Sequence, residues 1–204
     1  MQKIYIVDDD ASVRESLHFL MQSMGWQAEI FSGIDAFLQH TAEHHTLTGC
    51  LLLDVRMPGK SGLAWLEEGE TPFPLLPVIV MTGHGTIETC RRAFRHGAFE
   101  FYTKPLDVDA LIETINGALQ ESEQRESAWS AQQQLSQRYA QLSVREREVL
   151  SLLVEGQTSK EIGRLLDLSP RTVDAHRASI FQKVGVSNLA QVIRDYQRLH
   201  PAAS

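Results

Sequence analysis

Between residues 3 and 119, short apolar runs alternate strictly with amphipathic stretches, and no other feature constrains the fold as much. KIYIV (3–7), WQAEIF (26–31), CLLLD (50–54), PVIVM (77–81) and FEFY (99–102) read as strands. SVRESLHFLMQSM (12–24), IDAFLQH (34–40), LAWLEE (63–68), TIETCRRAFRH (86–96) and VDALIETINGAL (108–119) read as helices. Gly25 and Gly97 stand where two of these should stop, and Ser32 is placed to cap the second. CLLLD and PVIVM are apolar throughout, which marks strands buried on both faces. Strict alternation of five strands and five helices predicts a doubly wound parallel sheet with helices on both sides.

The pattern changes after residue 119. Residues 120–137 are rich in Gln, Glu and Ser and contain neither Pro nor Gly, which predicts a helical linker with Ala128, Ala131, Leu135 and Leu142 along one face, a flexible linker being the alternative. From residue 143 strand patterns are absent. Ser143 with Glu146, and Thr158 with Glu161, have the spacing of capping boxes. Ser169-Pro170 supplies an N-cap and an N1 proline for RTVDAHRASIFQKV, which Gly185 ends. Ser187 is placed to start a fourth helix, LAQVIRDYQRL. The gap of three or four residues between the second and third helices has helix-turn-helix spacing. The expected domains are 1–119, an α/β domain; 120–137, the linker; and 138–204, an all-α domain of four helices. Charge divides along the same line. Residues 1–120 carry a net −8 and residues 138–204 a net +3, so the rear half is the one suited to a polyanion.

Acidic and other polar residues gather where the strands should end. Asp8, Asp9 and Asp10 end the first, Asp54 the third, Thr82 the fourth, and Lys104 follows the fifth. Parallel strands put all these ends on one edge, the edge at which open α/β sheets bind ligands. Carboxylates there suit a hard divalent cation such as Mg²⁺, which keeps waters and takes phosphate oxygens. A hydroxyl and an ammonium would meet the remaining phosphate oxygens, so the set suits phosphoryl transfer onto a carboxylate.

IVDDD, LLLDVRMPG, MTGHG and YTKP resemble, in order and spacing, the receiver domain of two-component response regulators. LSVREREVLSLLVEGQTSKEIGRLLDLSPRTVDAHRASIFQKVGV resembles the LuxR-type DNA-binding domain. Together they resemble the NarL/FixJ family, FixJ-like members above all. The resemblance implies that Asp54 accepts a phosphoryl group from a sensor histidine kinase. It implies that Asp8, Asp9, Asp54 and the backbone carbonyl of Arg56 hold Mg²⁺, and that Lys104 contacts the acyl phosphate across a cis Lys104-Pro105 bond. Thr82 and Phe101 would be the switch pair, and Asp10 a helix N-cap. In the rear half the resemblance puts Asp174, Ala175 and Ala178 in the major groove. Lys160, Arg171, Thr172, His176 and Arg177 would touch phosphates or flanking bases, and Ser169 and Lys183 complete the DNA-binding set. Promoter DNA, a homodimer when phosphorylated and RNA polymerase are the implied partners.

Other readings have less support from the residues. A phosphatase with Asp54 as nucleophile would want a second Asp two residues on, where Arg56 stands. A flavin module would want a phosphate-cradling loop where DDDAS stands. A DNA binder indifferent to phosphorylation would not need the complete acidic set. His40, His44 and His45 have a helical spacing but no further ligands to complete a metal site. Cys50 and Cys90 read as reduced packing residues. The longest apolar runs, such as LLPVIVM (75–81), are too short to span a bilayer, and the first residues lack a signal pattern, so a cytoplasmic protein with no membrane partner is expected.

Overall fold

The structure, a computed structural model, describes residues 3–42, 46–68 and 73–200. The chain forms two compact units, Met1–Ser127 and Ala128–Ser204.

In the first unit β1 (Lys3–Val7), β2 (Gln27–Phe31), β3 (Gly49–Asp54), β4 (Val78–Thr82) and β5 (Glu100–Thr103) make one parallel sheet in the order β2-β1-β3-β4-β5. The helices are α1 (Ala11–Ser23), α2 (Ile34–Thr41), α3 (Gly62–Glu67), α4 (Ile87–Arg95) and α5 (Val108–Ala140). The doubly wound reading therefore holds. Side chains alternate across the pleat, which splits the core in two. Tyr5, Val7, Leu51, Leu53, Val78 and Val80 pack with Phe37, Trp65 and Phe73 on one face. Ile4, Ile6, Leu52, Ile79 and Met81 pack with Leu17, Met21, Leu111 and Ile115 on the other. The central strands are buried on both faces, and the edge strand β2 is half exposed, as its alternating sequence requires. No helix among the described residues is long and apolar enough to cross a membrane.

One cap in this unit differs from expectation. The N-cap of α2 is Gly33, with no side-chain bond, so Ser32 does not cap it. α5 runs as one helix through residues 120–137, since nothing there breaks it. Its packing against the sheet continues past residue 119. Ser122, fully buried, accepts from the Gly49 N–H at 2.9 Å and donates to the Leu75 carbonyl at 2.8 Å.

The second unit holds the end of α5 with α6 (Val144–Val154), α7 (Ser159–Leu166), α8 (Pro170–Val184) and α9 (Leu189–Leu199). Both capping boxes form. A three-residue turn, 167–169, joins α7 to α8, and Asp167 takes the left-handed conformation in it at φ 55°. The N-cap of α9 is Asn188 rather than Ser187, because the Asn188 side chain reaches the Gln191 N–H at 3.0 Å. Val149, Leu150, Leu153, Ile162, Val173, Ile180, Val184 and Val192 form the core. Leu142 is buried among them but lies beyond the end of α5, so it does not extend a face of that helix.

Candidate functional site

The carboxyl edge of the first sheet gathers the predicted residues. β1 delivers Asp8, fully buried, and β3 delivers Asp54, 3% exposed. Lys104 lies just beyond β5, and its backbone N–H bonds the Thr82 carbonyl at 2.8 Å. From there its ammonium donates to Asp8 Oδ2 at 2.6 Å and to Asp54 Oδ1 at 2.7 Å. The peptide bond to Pro105 is cis. The second Asp54 oxygen accepts the Arg56 N–H at 2.7 Å, and the second Asp8 oxygen accepts the Asp10 N–H at 3.0 Å. Asp10 caps α1 through Ser12 and Val13, as expected. Arg14, which the sequence reading did not single out, donates to the Asp8 carbonyl at 2.7 Å.

Burial raises the Asp54 pKa against the lowering effect of the Lys104 ammonium. The Lys104 pKa is raised by its two carboxylates, which outweigh the opposing effect of burial. Lys104 bonds both carboxylates directly, so the three groups stand as an ion pair. Asp54 is thus a desolvated carboxylate whose charge depends on one cation.

Asp9 and Arg56 are exposed beside this pair. Among the described residues no three His, Cys, Asp or Glu side chains gather to hold a metal by themselves. Two buried carboxylates converging on one point, with a third adjacent, nevertheless suit Mg²⁺, a hard ion that takes one or two carboxylates and retains waters. His40 instead pairs with Glu29 at 2.9 Å, and His44 and His45 lie outside the described residues. Cys50 is buried, which pushes its thiol up to about 12, and neither cysteine is bonded.

Thr82 is fully buried, and its hydroxyl oxygen accepts the His84 N–H at 3.2 Å. Phe101 is half-buried against the core. The loop after Thr82 lies directly on it. A Cβ on Gly85 would stand 2.3 Å from Thr103 Cγ2 and 3.3 Å from the Phe101 ring, so a side chain there would have to displace Thr103. Thr82 and Phe101 are therefore connected by packed chain.

The second unit presents α8. Val173, Ile180 and Val184 turn into the core at helical spacing. Arg171, Thr172, Asp174, Ala175 and Ala178 are exposed, and His176 and Arg177 are half exposed. Lys160 is exposed on α7, and the Ser169 hydroxyl caps α8 through the Thr172 N–H at 3.1 Å. Lys183 is engaged within the unit, where it donates to Glu146 Oε2 at 2.7 Å. Glu146 also accepts from Ser179 and from the Ser143 N–H, each at 2.7 Å. These donors hold its carboxyl down at about 2. The sequence shows Glu146 as the third residue of a capping box, but its link to Lys183 closes over a separation of 37 residues and leaves no local pattern.

Comparison with known proteins agrees with both units. Residues 4–116 match the response regulator receiver domain, and residues 140–195 match the bacterial regulatory proteins of the luxR family. The chain is 36% identical over 191 residues to the transcriptional regulatory protein FixJ of Bradyrhizobium diazoefficiens, covering 94% of this chain and 92% of that one. It is 37% identical over 196 residues to the response regulator protein TodT of Pseudomonas putida strain F1, covering 96% and 86%. Among solved structures, the response regulator StyR superposes with a TM-score of 0.80 at 37% identity, covering 97% of this chain and 98% of that chain. Full-length FixJ from B. japonicum gives 0.57 at 35% identity, covering 97% of each.

Proposed function

The chain belongs to the FixJ-like two-component response regulators, a receiver domain joined to a LuxR-type helix-turn-helix domain, and from that premise we propose that it takes a phosphoryl group from a sensor histidine kinase onto Asp54 and then binds promoter DNA as a dimer. The observation that carries the phosphotransfer reading is the Lys104 ammonium bonded to two buried carboxylates at adjacent strand ends. In the proposed step an Asp54 oxygen attacks the phosphorus of a phosphohistidine. The P–O bond forms as the P–N bond breaks, and the leaving imidazole takes up a proton. Lys104 then has a phosphoryl oxygen to hold in addition to Asp8, and the Thr82 hydroxyl has its proton to donate to another. Mg²⁺ held by Asp8, Asp9, Asp54 and the Arg56 carbonyl would neutralise the transferring charge. Phe101, packed under the Thr82 loop, follows that loop inward.

The exposed apolar residues of α4 support dimerisation. Ile87 is 83% and Phe94 45% exposed, an apolar surface for a second copy. Two recognition helices on one palindromic site gain affinity through raised effective concentration. RNA polymerase at the bound promoter is the further partner, and the cytoplasm is where kinase and promoter meet.

Acetyl phosphate with Mg²⁺ tests the chemistry without the kinase. Mass spectrometry should show one base-labile phosphoryl group on the wild type and none on Asp54→Asn. A full mass shift in that variant would remove Asp54 from the role.

A further inference from the structure

The exposed face of α8 contains an acidic residue, Asp174, on a surface that the proposed function sets against a polyanion. Its side chain is not independent of the rest of the unit. The Ser159 hydroxyl, at the first position of α7, lies 2.7 Å from Asp174 Oδ1. The Arg177 Nη1 donates to the same hydroxyl oxygen at 3.1 Å and reaches Asp174 Oδ1 at 3.5 Å. Chemistry sets the direction of this relay. A guanidinium only donates and an ionised carboxylate only accepts, so the hydroxyl must accept from Arg177 and give its single proton to Asp174. The Arg177 Nε is buried and meets no acceptor, so Ser159 and Asp174 provide the guanidinium with its hydrogen bonds. Only one Asp174 oxygen is used in these bonds. Its side chain is 61% exposed, which leaves the other oxygen free toward solvent.

We propose that Ser159 is a positioning residue for sequence recognition: it locks Asp174 and Arg177 into one unit, so that the free Asp174 oxygen meets a base amino group at a fixed orientation. This inference deepens the DNA-binding reading and rests on it. A carboxylate in the major groove can accept from a cytosine amino group, and it discriminates only if it is held in place. Joining Asp174 to Arg177 also offsets its repulsion of DNA phosphates. Sequence alone does not show the relay, because its hydroxyl and its carboxylate are 15 residues apart.

The test uses the full chain with acetyl phosphate and Mg²⁺, and a random-sequence duplex library. The wild type, Ser159→Ala, Ser159→Thr and Asp174→Ala are each selected on the library, and the preferred duplex is then titrated over a salt series. Ser159→Ala should lower discrimination at one base position by about fivefold while leaving the salt slope unchanged. Ser159→Thr should restore discrimination, because it keeps the hydroxyl. A variant carrying both Ser159→Ala and Asp174→Ala should discriminate no worse than Asp174→Ala alone. If Ser159→Ala weakens all duplexes equally and flattens the salt slope, Ser159 is a phosphate contact and the inference fails. Unchanged discrimination in Ser159→Ala overturns it as well. A wild type that selects no site would instead overturn the DNA-binding reading, and the inference with it.

Discussion

Asp54 and Glu146 are both buried carboxylates paired with a lysine, yet their environments act in opposite directions. Asp54 has one ammonium shared with Asp8, and burial raises its pKa. Glu146 has an ammonium, a hydroxyl and a backbone N–H to itself and lies at about 2. On the proposed reading the first gains a new bond, whereas the second is held as structure. Glu146 therefore has a consequence for acid stability. Its folded pKa is below the ordinary 4.5, so its stabilisation is complete above that value and disappears as pH falls toward about 2. The contribution is at most about 3.5 kcal/mol, taking about 1.4 kcal/mol per unit. Urea unfolding of the second unit at descending pH should lose stability over that window in the wild type, and Glu146→Gln should flatten the dependence. Equal pH slopes in the two proteins would refute the assignment. The residues legible from sequence were those fixed by strand ends: Asp8, Asp54, Thr82 and Lys104. Lys183 was legible only as a basic residue on a recognition helix, because its partner Glu146 is set by tertiary packing.

At the scale of elements, binary pattern and caps were informative where bonds are local. Asp10, Ser143, Thr158 and Ser169 all cap as their spacing indicates. Ser32 and Ser187 do not, since each has a neighbour one residue on that begins the helix instead. Periodicity could not show the close approach of α3 to the end of β3. A Cβ on Gly62 would stand 2.1 Å from the Asp54 carbonyl oxygen and 2.9 Å from the Leu53 side chain. Gly62→Ala must therefore push α3 away from the strand that carries Asp54, at a cost of about 1–3 kcal/mol. We expect lower stability in urea and slower labelling by acetyl phosphate at pH 7. A variant that labels at the wild-type rate would show that the strand end tolerates the shift.

At the scale of the whole molecule, the acidic front and basic rear visible in the sequence correspond to two units with different tasks. Occupancy of Asp54 should be read out as assembly. Sedimentation with beryllofluoride, a phosphate mimic, should convert monomer to dimer, and Ile87→Asp should prevent it by placing charge on an 83% exposed apolar site. A wild type that remains monomeric when saturated with the mimic, yet binds DNA more tightly, would rule out dimerisation as the switch. The helical character of the junction was legible in the sequence but its dividing point was not, because the composition changes at residue 120 whereas the units divide after Ser127, within α5. Ser122 bears on where this chain could be cut and joined to another. Its hydroxyl closes the gap between the Gly49 N–H and the Leu75 carbonyl from within the shared helix. A graft spliced after residue 119 would donate the receiver without that plug and leave two buried polar groups open, at about 1–3 kcal/mol each. One spliced after Ser127 would carry the plug with it. Chimeras built at the two points should differ in receiver melting temperature by several degrees. A serine bonded at the opposite end of β3 from Asp54 would then decide which chimeras hold together.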